Sequence, residues 1–90
     1  MIKPIRSGRF ERMLKDLLKD RGLELAVLID NKITLFSKNP KDTRLRNHRL
    51  TGKMSGQFAF SITEDIRIVY EIIGKNTIRF LAIGTHEKVY

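Results

Sequence analysis

Two histidines, His48 and His86, are the side chains best suited to moving protons near neutral pH. His48 lies in a basic connection, and His86 follows the last strand-like segment in Gly84-Thr85-His86. Cysteine is absent. That excludes a disulfide framework, a thiolate nucleophile and any cysteine-based zinc or iron–sulfur centre. Two histidines cannot build a His-rich metal cluster, and no DxD or HExxH pattern marks a two-metal nuclease. Other groups suit anions better than protons. The Arg67 guanidinium is permanently charged and can grip two phosphate oxygens. Arg44, Arg46, Arg49 and Lys53 hold their protons too tightly for general-base work and suit phosphate binding. Tyr90 offers a ring for stacking and a hydroxyl for a phosphate.

The charge is far from balanced. Among 90 residues, 18 Lys and Arg face 10 Asp and Glu, giving a formal charge of +8 and a pI of about 10.2. One run, residues 1–22, carries Lys3, Arg6, Arg9, Arg12, Lys15, Lys19 and Arg21, diluted by three acids. The denser run, residues 41–55, has only Asp42 against its cations. Such a surface attracts polyanions with a salt-dependent affinity. Charge by itself does not separate RNA, DNA, an acidic protein and a membrane surface, and a plainly solvated basic face is the bland alternative. The length fits one domain spanning residues 1–90. No apolar stretch approaches the roughly 18 residues of a membrane span. No hydrophobic signal segment opens the chain. A reducing, cytoplasmic setting without a membrane partner is the expectation.

These groups need elements to hold them. Phe10, Met13, Leu14, Leu17 and Leu18 follow the spacing of an amphipathic helix that Ser7 or Gly8 can start and Gly22 can stop. Glu11 stands in position to pair with Lys15. Residues 23–38 read two ways: Leu25, Leu28, Ile29, Ile33 and Phe36 recur with helical spacing, yet a hairpin turning at Asp30-Asn31 fits too. Asn39-Pro40 ends either element. A long polar connection, 39–57, follows. Then three alternating segments, 56–62, 66–73 and 77–83, with turns at 63–65 and 74–76, read as an antiparallel meander. Met1–Arg6 reads as an edge strand. The sheet needs one face covered, and the N-terminal helices are the available cover.

Asn39-Pro40, Asp42, Arg44-Leu45, His48, Leu50-Thr51-Gly52, Gly56, Asp65-Ile66-Arg67-Ile68-Val69-Tyr70 and Ile83-Gly84-Thr85-His86, closing on Val89-Tyr90, form a pattern that resembles the RelE/ParE superfamily of bacterial toxins, in particular its YafQ-like ribonuclease branch. The resemblance covers nearly the whole chain. Its most specific parts are 48–52, 65–67 and 84–86. It implies an α/β (α+β) fold in which two N-terminal helices pack on a small twisted antiparallel sheet, and so favours the helical reading of 23–36.

The resemblance further implies the toxin of a type II toxin–antitoxin system. Its activity would be ribosome-dependent mRNA cleavage by metal-independent attack of the 2′-hydroxyl. No cofactor is implied. The implied partners are an acidic antitoxin, in a hetero-oligomer, and mRNA on the 70S ribosome. Matched residue by residue, it makes His48, Asp65, Arg67, His86 and Tyr90 catalytic candidates and leaves Arg44, Arg46, Arg49 and Lys53 as RNA-positioning groups. His86 or Asp65 would act as base and His48 as acid. There is one departure: some YafQ-like toxins carry a further histidine in the first long sheet strand, where this chain has Ser61. Because one scaffold serves several activities, a ParE-like gyrase inhibitor and a non-catalytic RNA- or ribosome-binding protein are the alternatives.

Overall fold

The computed structural model describes all 90 residues. Strand β1 (Lys3–Arg6) leads into helices α1 (Gly8–Leu18) and α2 (Leu23–Lys38). After a loop come β2 (His48–Arg49), β3 (Gln57–Ser61), β4 (Ile66–Gly74), β5 (Thr77–Thr85) and a short helix α3 (His86–Val89). The sheet order is β1-β5-β4-β3-β2. Strands β2 to β5 pair antiparallel, and the edge strand β1 joins β5 in parallel.

The helices form for local reasons. Ser7 caps α1, its Oγ accepting from the Phe10 N–H at 3.0 Å. Glu11 turns away from Lys15 and approaches Arg6 at 3.6 Å. Residues 23–38 are one helix, so the hairpin alternative for this segment falls. The reason is its inward stripe: Ile29, Ile33 and Phe36 all enter the main core, while Asp30 and Asn31 remain in solvent. Phe36 stacks on Phe60 with ring centroids 4.3 Å apart and also meets Tyr70 and Phe80. Phe10, from α1, packs on Phe80. Complete burial of such a side chain stabilises by about 1.5–3 kcal/mol.

The two faces of the sheet differ. Phe60, Ile62, Ile66, Ile68, Tyr70, Ile78, Phe80 and Ile83 face the helices. Ala59, Val69 and Ala82 face the other way and are covered by Val89 of α3. A β-bulge keeps this sorting consistent. Val69 pairs with Ala82 but Tyr70 with Phe80, so Leu81 is the extra residue. The slip lets both Phe80 and Ile83 reach the helix side. It also leaves Gly84 opposite Arg67, where the last helix turns onto the sheet.

Candidate functional site

Helix α3 lies on small residues. Ala59, Ala82 and Gly84 are all buried beneath it. Gly84 has φ +156°, and a Cβ there would stand 3.3 Å from the Lys88 Cβ. A larger residue would push the helix outward. Seated this way, α3 presents His86 and Tyr90 four residues apart on one face. Their rings meet edge to face, with centroids 4.5 Å apart. Partial burial pushes the Tyr90 phenol up from its usual range, with the Arg67 charge acting against it. The phenol therefore stays protonated and is a hydrogen-bond donor.

The opposite wall comes from the 39–57 connection, which is more ordered than a polar loop. Thr43–Leu45 and Gly52–Met54 form 3₁₀ turns, and β2 pairs His48 with Ala59 and Arg49 with Phe58. The Arg49 guanidinium sits over the Phe58 ring, 5.6 Å from its centroid. The Nδ1–H of His48 donates to the Arg46 carbonyl at 2.9 Å. A carbonyl can only accept, so the bond assigns the proton to Nδ1 and leaves Nε2 as the exchanging nitrogen.

Two open clefts flank α3, and the 39–57 connection walls only the first. The first, about 480 Å³, is lined by His48, Arg49, Lys53, His86 and Tyr90, together with Leu50, Thr51 and Met54. No Asp or Glu side chain lines it. The second, about 460 Å³, gathers Asp65, Arg67 and His86 with Arg21, Glu87 and Thr63. Its charges are mixed. His86 alone borders both.

The remaining sequence candidates divide. Asp65 is exposed in the β3–β4 turn, where its N–H donates to Thr63 Oγ1 at 3.2 Å. Its carboxylate reaches neither imidazole, and Arg67 forms no ion pair. Ser61 is buried and pairs across the sheet with Arg67. A histidine in its place would stand in the strand register beside Arg67. Arg44 is already engaged: its Nε and Nη2 donate to the two Asp42 carboxylate oxygens at 2.9 and 2.8 Å. Those bonds, with the Arg44 backbone N–H, hold the Asp42 carboxyl down at about 2. Arg46 lines a separate concavity with Lys41 and Asp42, away from both histidines. No three His, Cys, Asp or Glu side chains converge as a metal site.

Three residues near the site were not marked for it by the sequence, Arg21 standing only among the cations of the 1–22 run. Arg21, in the turn after α1, and Glu87, on α3, reach the mixed cleft only through packing. Asn47 is a lone amide between Arg46 and His48. Its Nδ2–H donates to the Pro40 carbonyl and its Oδ1 accepts from Tyr70.

Two helices on one face of this five-stranded sheet, with a basic cleft at the far end of β5, make a RelE/ParE-like fold. The profile of the bacterial YafQ toxins of type II toxin–antitoxin systems matches residues 2–90, and the chain belongs to that family. The fold is similar to that of YafQ in the E. coli DinJ–YafQ complex, with a TM-score of 0.80 at 21% identity, covering 100% of this chain and 99% of that one. A metal-bound toxin from Helicobacter pylori superposes with a TM-score of 0.79 at 22% identity over 100% of both chains. A YoeB/ParE toxin from Agrobacterium tumefaciens does so at 0.75 and 17% identity, over 94% of this chain and 99% of its own. No curated protein sequence matches the chain.

Proposed function

We propose that this toxin, as one domain of residues 1–90, is an endoribonuclease that cuts mRNA on the translating ribosome. The carrying observation is the cleft, lined by no Asp or Glu side chain, in which His48, His86 and Tyr90 meet Arg49 and Lys53. The Arg49 and Lys53 side chains attract a polyanion into such a cleft, and two imidazoles supply the acid–base pair that phosphodiester transfer needs.

His86 takes the proton of the ribose 2′-hydroxyl, and O2′ bonds to the adjacent phosphorus. The bond from phosphorus to the 5′-oxygen breaks, and His48, protonated at Nε2, gives that oxygen its proton. A 2′,3′-cyclic phosphate and a 5′-hydroxyl end result. Arg49, Lys53 and the Tyr90 hydroxyl offset the charge that builds on the phosphorane oxygens. Asp65 opens onto the other cleft, which favours His86 over Asp65 as base. Arg67 and Arg21, on the mixed cleft, hold RNA beyond the scissile phosphate in this reading, and Arg46 a more distant phosphate. No metal or cofactor takes part.

The partner that silences the toxin is an acidic antitoxin segment. The E. coli relative is seen in complex with DinJ, and a +8 chain offers the complementary surface.

Purified protein is compared on naked transcripts, on transcripts under translation by 70S ribosomes, and on supercoiled DNA with gyrase. Cleavage confined to translated mRNA, leaving cyclic phosphate ends, is expected. Gyrase inhibition without RNA cleavage would establish the ParE-like alternative, and ribosome binding without cleavage the non-catalytic one. Co-expression with an acidic protein encoded next to the toxin should abolish toxicity and yield a copurifying complex.

A further inference from the structure

His48 is exposed, yet its ring is not free to choose its orientation. The acceptor that holds it, the Arg46 carbonyl, belongs to a residue in the left-handed region, with φ 50° and ψ 41°. Few residues with a side chain adopt that conformation, and surrounding contacts must hold it there. The contacts lie on either side. Leu45 is wholly buried. Asn47 is clamped at both ends of its amide: Nδ2–H donates to the Pro40 carbonyl at 3.0 Å, and Oδ1 accepts from the Tyr70 hydroxyl at 2.8 Å.

The proton inventory closes only one way. A carbonyl must accept, so the amide nitrogen faces Pro40. The amide oxygen then faces Tyr70, whose hydroxyl must donate. Tyr70 cannot drift, because it is only 5% exposed, stacks on Phe58 at 5.4 Å and meets Phe36 edge-on at 5.0 Å. A polar path therefore runs from the aromatic core to the loop: Tyr70, Asn47, the left-handed Arg46 backbone, then the His48 Nδ1–H.

We infer that Tyr70 and Asn47 are positioning residues that hold His48 in its Nδ1–H tautomer, with Nε2 free to exchange the proton of the reaction. The link to cleavage rests on the proposed function above. The effect on the ring does not, and is measured without substrate.

The test uses ¹⁵N spectra of the histidine rings at a pH where they are neutral, with Tyr70→Phe, Asn47→Ala and wild type compared. Tyr70→Phe removes one hydroxyl and keeps the core ring. Wild type should show His48 as the Nδ1–H form, and both variants should lose that form to a mixture, with His86 unchanged. Single-turnover cleavage by Tyr70→Phe should fall about tenfold with ribosome affinity unaltered, within the roughly 100-fold range that a small misplacement can cost. If Asn47→Ala does not fold, Tyr70→Phe alone decides. A folded Tyr70→Phe protein with the wild-type His48 pattern would overturn the inference. A changed pattern combined with full activity of His48→Ala would leave the positioning intact and remove His48 from the proposed mechanism.

Discussion

The two clefts share His86 and one helix, yet they are different chemical environments. The cleft toward His48 presents Arg49 and Lys53 with no Asp or Glu side chain. The cleft toward Asp65 balances Arg21 and Arg67 against Asp65 and Glu87. A phosphate moving toward His86 meets net positive charge from one side and near neutrality from the other. Cationic composition is thus not spread evenly over a chain of +8. Where acids stand near bases, as in the mixed cleft, the local field is weaker than where the acids lie elsewhere.

The strongest test of this contrast is the shared residue. His86→Ala should lower single-turnover cleavage by about 100-fold or more, the loss typical of a positioned proton-transfer group, while ribosome affinity changes little. A wild-type rate would remove His86 from the mechanism.

Next comes the seat of the helix that carries it. Gly84→Ala should destabilise the fold by about 1–3 kcal/mol, because a Cβ is forced into an unfavourable backbone region and against Lys88. Thermal melting reads this directly. An unchanged midpoint would show that α3 is not held by the close approach at Gly84.

The contrast between the basic residues is smaller. Arg49→Ala and Lys53→Ala should each weaken association and flatten its salt dependence by about one unit of slope. Arg44→Ala, whose fork already grips Asp42, should alter the slope less. Equal slopes for all three, from binding titrations over a salt series, would break the distinction between cations paired with a carboxylate and those that are not.

Least in size is the acid response of the loop. The Asp42 carboxyl is lowered from 3.8 to about 2, chiefly by the side-chain bonds from Arg44. A carboxyl depressed on folding contributes stability that is full above its ordinary value and lost as pH falls through the folded one. Loop signals from residues 41–47 should therefore hold down to about pH 4 and broaden toward pH 2. Asp42→Asn should erase that transition in an NMR titration, and its persistence would assign the response to another group.

Much of this architecture was legible beforehand because its signals are local. Helical spacing from Phe10 to Leu18, alternation through 56–62 and 66–73, and glycine or polar turns are read over a few residues at a time. The segment 23–38 was not, because Ile29, Ile33 and Phe36 fit a helix or a buried strand until the aromatic core across from them is known. The parallel edge pairing of β1 with β5 and the Leu81 bulge are likewise contacts between distant segments.

The same division runs through the site. The sequence by itself determined the chemical stock: two imidazoles, no thiols, a dense cationic run and a tyrosine at position 90. It also carried the spacing that marks the family. Only the tertiary structure decided how that stock is shared out. It put His48 across from His86 on one cleft and Asp65 on the other, tied Arg44 to Asp42, and brought in Arg21, Glu87 and Asn47. The physical reason is that residue type sets what a group can donate, accept or titrate. Its effective charge and its orientation depend on neighbours that packing supplies from elsewhere in the chain.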